Sequence, residues 1–201
     1  MAEISALEQF AADMRLMRRQ CAWKAAQTHD SLARHLLEET HETLEAIESG
    51  DPEHLCEELG DLLAQIYFHA VVAEDAGTFT LDDVAQGIID KMRRRNPHVF
   101  GWPDGTLGDA RTPEEIEVVW NQIKAVEKAH RTTPEEGIPT SLPALAYAAN
   151  VMRRMPSRIV TGDGGLGNRL LALVVEAVET GQDPERELRD AVRRRLDPPQ
   201  S

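Results

Sequence analysis

Cysteine, long apolar runs and positive charge are all scarce in this chain, and each scarcity excludes something. Only Cys21 and Cys56 occur in 201 residues, too few for a disulfide framework and in no zinc-ligand spacing, so both read as reduced thiols, with Cys56 placed at a helix interface. No stretch approaches the roughly 20 apolar residues of a membrane span, and the acidic start lacks the basic-then-apolar order of a signal peptide. A cytoplasmic protein with no membrane partner is expected. Lys and Arg total 22 against 35 Asp and Glu, a net charge of −13. A long phosphate polymer is repelled by that balance unless a local basic patch overrides it, so no nucleic-acid partner is expected. A small polyphosphate that brings its own cation remains compatible, because the cation links acidic side chains to phosphate oxygens.

What is abundant is carboxylate set inside helix-period apolar patterns. In the segment Leu36 to Glu42, Glu39 borders a stripe formed by Leu32, Leu36, Thr40, Leu44 and Ile47, and Glu42 lies one turn below it. In the segment Glu57 to Leu63, Glu58 and Asp61 stand at i and i+3 beside a stripe of Leu55, Leu59, Leu62, Leu63, Ile66 and Ala70, expected to be buried. A Gly50-Asp51-Pro52 turn joins the two segments, so four carboxylates can converge. Like charges so placed repel, and a divalent cation would compensate, magnesium preferring oxygen ligands. A solvated acidic face is the alternative, since charge runs usually are solvated.

Taken in order, residues 5–19 read as an amphipathic helix with Leu7, Phe10, Met14 and Met17 inward. The stretch 20–29 reads as a connection in which Trp23 serves as packing anchor or base platform. Helices follow over about 30–49 and 52–76, capped by Thr28 or Asp30 and opened by Pro52. Thr80 to Asp83 resembles a capping box, with Asp in place of Glu, opening a fourth helix through Val84, Ile88, Ile89 and Met92. An all-α, four-helix-bundle fold is expected. The fourth helix ends in Lys91-Met92-Arg93-Arg94-Arg95, either cations meeting the helix dipole or a phosphate clamp. Residues 100–113 read as an ordered loop or lid. A helix over 114–130 carries Trp120, read as core, and Lys124 one turn on.

A linker composition over 132–141 places a boundary near residue 135, giving domains 1–134 and 135–201. The second contains a faded repeat of the first, in which Gly165 to Leu173 lines up with Glu58 to Ile66. Gly165 stands where Glu58 stands and Asn168 where Asp61 stands, so the repeat lacks the acidic metal motifs.

The series Cys21-x-Trp23, Gln27-Thr28, Leu36-Leu37-Glu38-Glu39-x-x-Glu42, Glu57-Glu58-Leu59-Gly60-Asp61-Leu62-Leu63, Lys91-x-x-Arg94-Arg95-x-Pro97-His98-Val99-Phe100-Gly101 and Trp120-x-x-Ile123-Lys124 resembles the MazG nucleoside triphosphate pyrophosphohydrolases over roughly residues 5–130. The resemblance implies a homodimeric all-α enzyme that binds Mg2+, with Mn2+ as a substitute, and hydrolyses nucleoside triphosphates to monophosphate and pyrophosphate. It carries metal binding onto Glu38, Glu39, Glu42, Glu58 and Asp61, phosphate contact onto Lys91, Arg94 and Arg95, and approach to the substrate onto Trp120 and Lys124, beside which Trp23 stands as a candidate base contact. Where the family usually has Pro and an acidic residue around its Trp, this chain has Ala22 and Lys24.

The reaction so implied is attack of water on the α-phosphorus. Glu39, Glu42, Glu58 and Asp61 serve as metal ligands, Glu38 accepts the water's proton, and Lys91 and Arg94 offset charge on the leaving pyrophosphate. Two other readings stay open: a catalytically idle nucleotide-binding regulator or docking protein, and an enzyme restricted to one housekeeping nucleotide.

Overall fold

A computed structural model describes residues 4–155 and 164–196, and among them every regular element is a helix. The acidic start at Met1 to Glu3 and the stretch ending at Asp163 lie outside the described residues. Contacts divide the chain into Met1–Trp120 and Asn121–Ser201.

The first unit holds α1 (Ala6–Gln20), α2 (Ala22–Ala26), α3 (His29–Ser49), α4 (Pro52–Asp75), α5 (Leu81–Arg95) and α6 (Pro97–Phe100). A further helix, α7 (Pro113–Glu127), crosses the division. Local chemistry explains most boundaries. Ser5, Thr28 and Thr80 each form a reciprocal capping box, Asp83 replying to Thr80 in the last. Asp51 Oδ1 accepts from the amides of Glu53 and His54 at 2.9 and 3.4 Å, and Pro52 takes the first helical position, where its missing N–H costs nothing. Between α3 and α4, Gly50 adopts φ +71°, a left-handed conformation that side chains resist. The two helices therefore reverse on each other as an antiparallel pair.

The core of this unit joins Ala11 and Met14 of α1, Leu32 of α3, and Tyr67, Phe68, Val71 and Val72 of α4. Arg15 and Arg18 of α1 clasp the end of α4 through Glu74 and Asp75, each pair at 2.7 Å. Which apolar residues face inward differs from the sequence expectation. Ile47, Leu59 and Ile66 are 55%, 50% and 43% exposed, and Leu7 and Leu44 also face outward. Thr43 and Ala46 are buried instead. Small side chains let the helices approach, and the Thr43 hydroxyl is satisfied by donating to the carbonyls of Glu39 at 2.7 Å and Glu58 at 3.4 Å. Leu81 of α5 packs against this core, but Val84, Ile88, Ile89 and Met92 are exposed, and Cys56 is exposed rather than packed.

The second unit contains α8 (Ala144–Met152), α9 (Leu166–Glu179) and α10 (Pro184–Leu196). Its buried residues include Ile138, Ala149, Val174 and Val175.

A candidate metal and phosphate site on the paired helices

Helix spacing within α3 and α4, and the Gly50 turn between them, bring Glu39, Glu58 and Asp61 together. One oxygen from each lies within 4.8 Å of the others. Burial first, then the charge of Asp61, then the charge and hydrogen bonding of Glu42, push the Glu39 carboxyl above the ordinary carboxylate range. Glu42 thus stands beside the cluster. Glu58 is half-buried, with Oε1 3.2 Å from His54 Nε2, and its other oxygen is buried without a hydrogen-bond partner. A buried carboxylate oxygen without a partner, on a side chain grouped with two more acids, is expensive. A hard divalent cation would satisfy such a donor set, which is all oxygen and anionic, so Glu39, Glu58 and Asp61, with Glu42 adjacent, could hold one.

A pocket of about 300 Å3 opens beside these acids. Trp23 and Lys24 of α2, Leu32, His35 and Glu39 of α3, and Asp61, Gln65 and Phe68 of α4 line it. The Trp23 and Phe68 rings lie 6.2 Å apart, and His35 meets Trp23 edge-on at 6.3 Å. Gln65 donates Nε2 toward Glu39 Oε1 at 3.5 Å, leaving its own oxygen buried and unpartnered. The carboxylate fixes that amide's orientation, because turning it over would set two acceptors face to face.

Other expected site residues stand elsewhere. Glu38 is exposed on α3, with Oε2 3.1 Å from His35 Nδ1. Lys91 and Arg94 are exposed near the end of α5, and the Arg95 guanidinium lies 5.4 Å from the centroid of the Trp120 ring. None of these four lines the pocket beside Glu39, whereas Trp23 does. Lys124 is half-buried within the second unit. The sequence reading passed over Lys24, His35, Gln65 and Phe68 as pocket walls. Helical spacing held a signal for two of them: His35 lies four residues before Glu39, and Gln65 four after Asp61.

The fold and site define an all-helical protein whose carboxylates converge, in an arrangement able to hold a metal ion, beside an aromatic-walled pocket. Comparison with known proteins agrees. The MazG nucleotide pyrophosphohydrolase domain matches residues 27–100. A 26.1 kDa protein in the blaB 3′ region of Streptomyces cacaoi is 42% identical over 178 residues, covering 85% of this chain and 72% of that protein. The nucleoside triphosphate pyrophosphohydrolases of Mycolicibacterium smegmatis and Escherichia coli K12 are each 40% identical, covering 85% and 67% of this chain. This chain spans about half the length of those two, 51% and 50%. The crystal structure of a mazG-related protein from Thermotoga maritima superposes with a TM-score of 0.50 at 27% identity, over 58% of this chain and 97% of that one. The chain belongs to the MazG nucleotide pyrophosphohydrolase family.

Proposed function

We propose that this chain hydrolyses nucleoside triphosphates to monophosphate and pyrophosphate in a magnesium-dependent reaction, clearing the cytoplasmic nucleotide pool. The observation that carries the reading is the convergence of Glu39, Glu58 and Asp61 with one Glu58 oxygen left unpartnered. The similarity to the nucleoside triphosphate pyrophosphohydrolases of M. smegmatis and E. coli supports it. Glu39, Glu42, Glu58 and Asp61 hold the cation, Mn2+ substituting for Mg2+. When bound, such an ion polarises phosphate oxygens and offsets their charge. Glu38 takes a proton from the attacking water as oxygen bonds to the α-phosphorus and the bond to the bridging oxygen breaks. Lys91 and Arg94 offset the charge left on pyrophosphate, while Trp23, Arg95 and Trp120 contact the substrate.

We infer further that the protein works as a homodimer, since Val84, Ile88, Ile89 and Met92 of α5 expose a continuous apolar face. Residues 1–134 form the working domain, and 135–201 a degenerate second copy. Incubation with Mg2+ and each triphosphate, with products separated, tests the activity: monophosphate plus pyrophosphate is the expected pair. Binding without turnover, or release of orthophosphate alone, overturns the reading.

A further inference from the structure

The pocket beside the carboxylates carries a cation of its own. Lys24 is half-buried there, its ammonium 4.7 Å from the centroid of the Phe68 ring and 5.7 Å from that of Trp23. Among the described residues no carboxylate lies within ion-pair distance of it. The backbone at this point is fixed. Arg18, 12% exposed and bound to Asp75, donates from Nη1 to the carbonyl of Lys24 and to that of Gln27, the latter at 3.0 Å. Ring faces attract a cation but do not neutralise it, so a half-desolvated ammonium without a counter-ion is poised for anionic oxygen. Across the same cavity stand Glu39 and Asp61. A pocket lined by acids alone, in a chain of net charge −13, would repel a polyphosphate wherever the cation at the carboxylates did not reach.

We propose that Lys24 is a substrate-anchoring residue whose ammonium binds phosphate oxygens of the nucleotide from the side of the pocket facing Glu39 and Asp61. This rests on reading the pocket as a nucleotide site. It adds, from within this pocket, a phosphate contact to those proposed for Lys91, Arg94 and Arg95, none of which lines it. The choice of phosphate over base follows from the group: an ammonium is a compact, strongly hydrated point charge, best matched by anionic oxygen. It also marks this chain out, because the resemblance puts an acidic residue where Lys24 stands.

The test compares Lys24→Met and Lys24→Arg with the unaltered chain, by steady-state hydrolysis of UTP, CTP, GTP and ATP and by calorimetric binding of magnesium tripolyphosphate. Loss of a charge-assisted hydrogen bond predicts a KM about tenfold higher for all four nucleotides in Lys24→Met, with kcat within about twofold and tripolyphosphate binding weakened by the same factor. Lys24→Arg retains the charge and returns KM to within about threefold of the original. Unchanged KM, a change confined to some bases, or a fall in kcat at constant KM overturns the anchor. Should the unaltered chain hydrolyse no triphosphate, the hydrolase reading falls alone and tripolyphosphate decides the anchor: weaker binding in Lys24→Met upholds it, equal binding removes it.

Discussion

Helices α4 and α9 bury matching positions and differ in what stands beside them. Aligned on Glu58–Ile66 and Gly165–Leu173, Tyr67 and Phe68 correspond to Val174 and Val175, and all four are buried. On the flank, Glu58, Asp61 and Gln65 are answered by Gly165, Asn168 and Ala172. In α4 that flank carries the costs of a site: orphaned oxygens on Glu58 and Gln65, and acids close enough to raise the titration of Glu39. The flank of α9 carries no such cluster. Packing is set by apolar spacing and chemistry by the row next to it, so either can change while the other persists.

The largest effect should come from giving α4 the residue α9 already has. Asp61→Asn removes a charge from the cluster and should lower magnesium-dependent turnover at least about a hundredfold, while the melting temperature without divalent ions stays equal or rises. Activity close to that of the unaltered chain would end the comparison, since the acidic flank would then be dispensable. Next in size is the shared core. Phe68→Ala opens a cavity at a site 4% exposed and should cost about 3–5 kcal/mol, against about 2 kcal/mol for Val175→Ala. Thermal unfolding of the two variants reads the difference directly, and an equal loss would mean the two positions are not equivalent in depth.

Much of this was legible in the sequence because it is local. The capping box at Thr80 and Asp83, Asp51 with Pro52, and the spacing of Glu58 and Asp61 involve residues three or four apart, and helix geometry fixes their relation. Other features depend on partners distant in sequence. Periodicity outlined an apolar stripe through Leu44 and Ile47, but the row against α4 is Leu32, Glu39, Thr43 and Ala46, chosen by close approach and by the carbonyls that satisfy Thr43. The five residues of α2 are too few to display a period, so their role in aiming Trp23 and Lys24 at the pocket had no local signature. The Arg18 contacts that hold this turn arise from α1 and from the far end of α4.

A further prediction concerns how the first unit is closed. Glu74 accepts from Arg15 Nε and Nη2 at 2.7 and 2.8 Å and from the Leu81 amide at 3.1 Å, tying α4 to α1 and to the start of α5. Hydrogen bonding to Arg15, foremost, holds its carboxyl below the usual range. A lowered carboxylate contributes stability that is present above its unfolded value and lost as pH falls through the lowered one. Glu74→Gln should therefore cost about 1–2 kcal/mol at neutral pH, a value reduced by the partial exposure of Arg15, and the gap should close in acid. A gap that persists unchanged into strong acid would assign the effect to shape instead of charge.

The smallest effect bears most directly on the difference between α4 and α9. Glu39 is held above the ordinary carboxylate range by burial and then by Asp61 and Glu42, so the folded chain keeps that proton to a higher pH than the unfolded chain does. The sign is opposite to that of Glu74: Glu39 favours folding below its unfolded value, and this contribution disappears as pH rises through the raised one. Glu39→Gln cannot titrate. Without divalent ions the two proteins should melt together in acid, and above the raised value Glu39→Gln should be the more stable by up to about 1 kcal/mol, or a few degrees. Adding Mg2+ at neutral pH should reverse that order, because the cation binds and stabilises the folded carboxylate cluster and the variant has lost one of its oxygens. Crossing of the two melting temperatures on metal addition ties the repulsion in α3 and α4 to the ligand that relieves it. If the unaltered chain is already the more stable at neutral pH without metal, the crowding of these acids is not a cost and the contrast with α9 loses its physical basis.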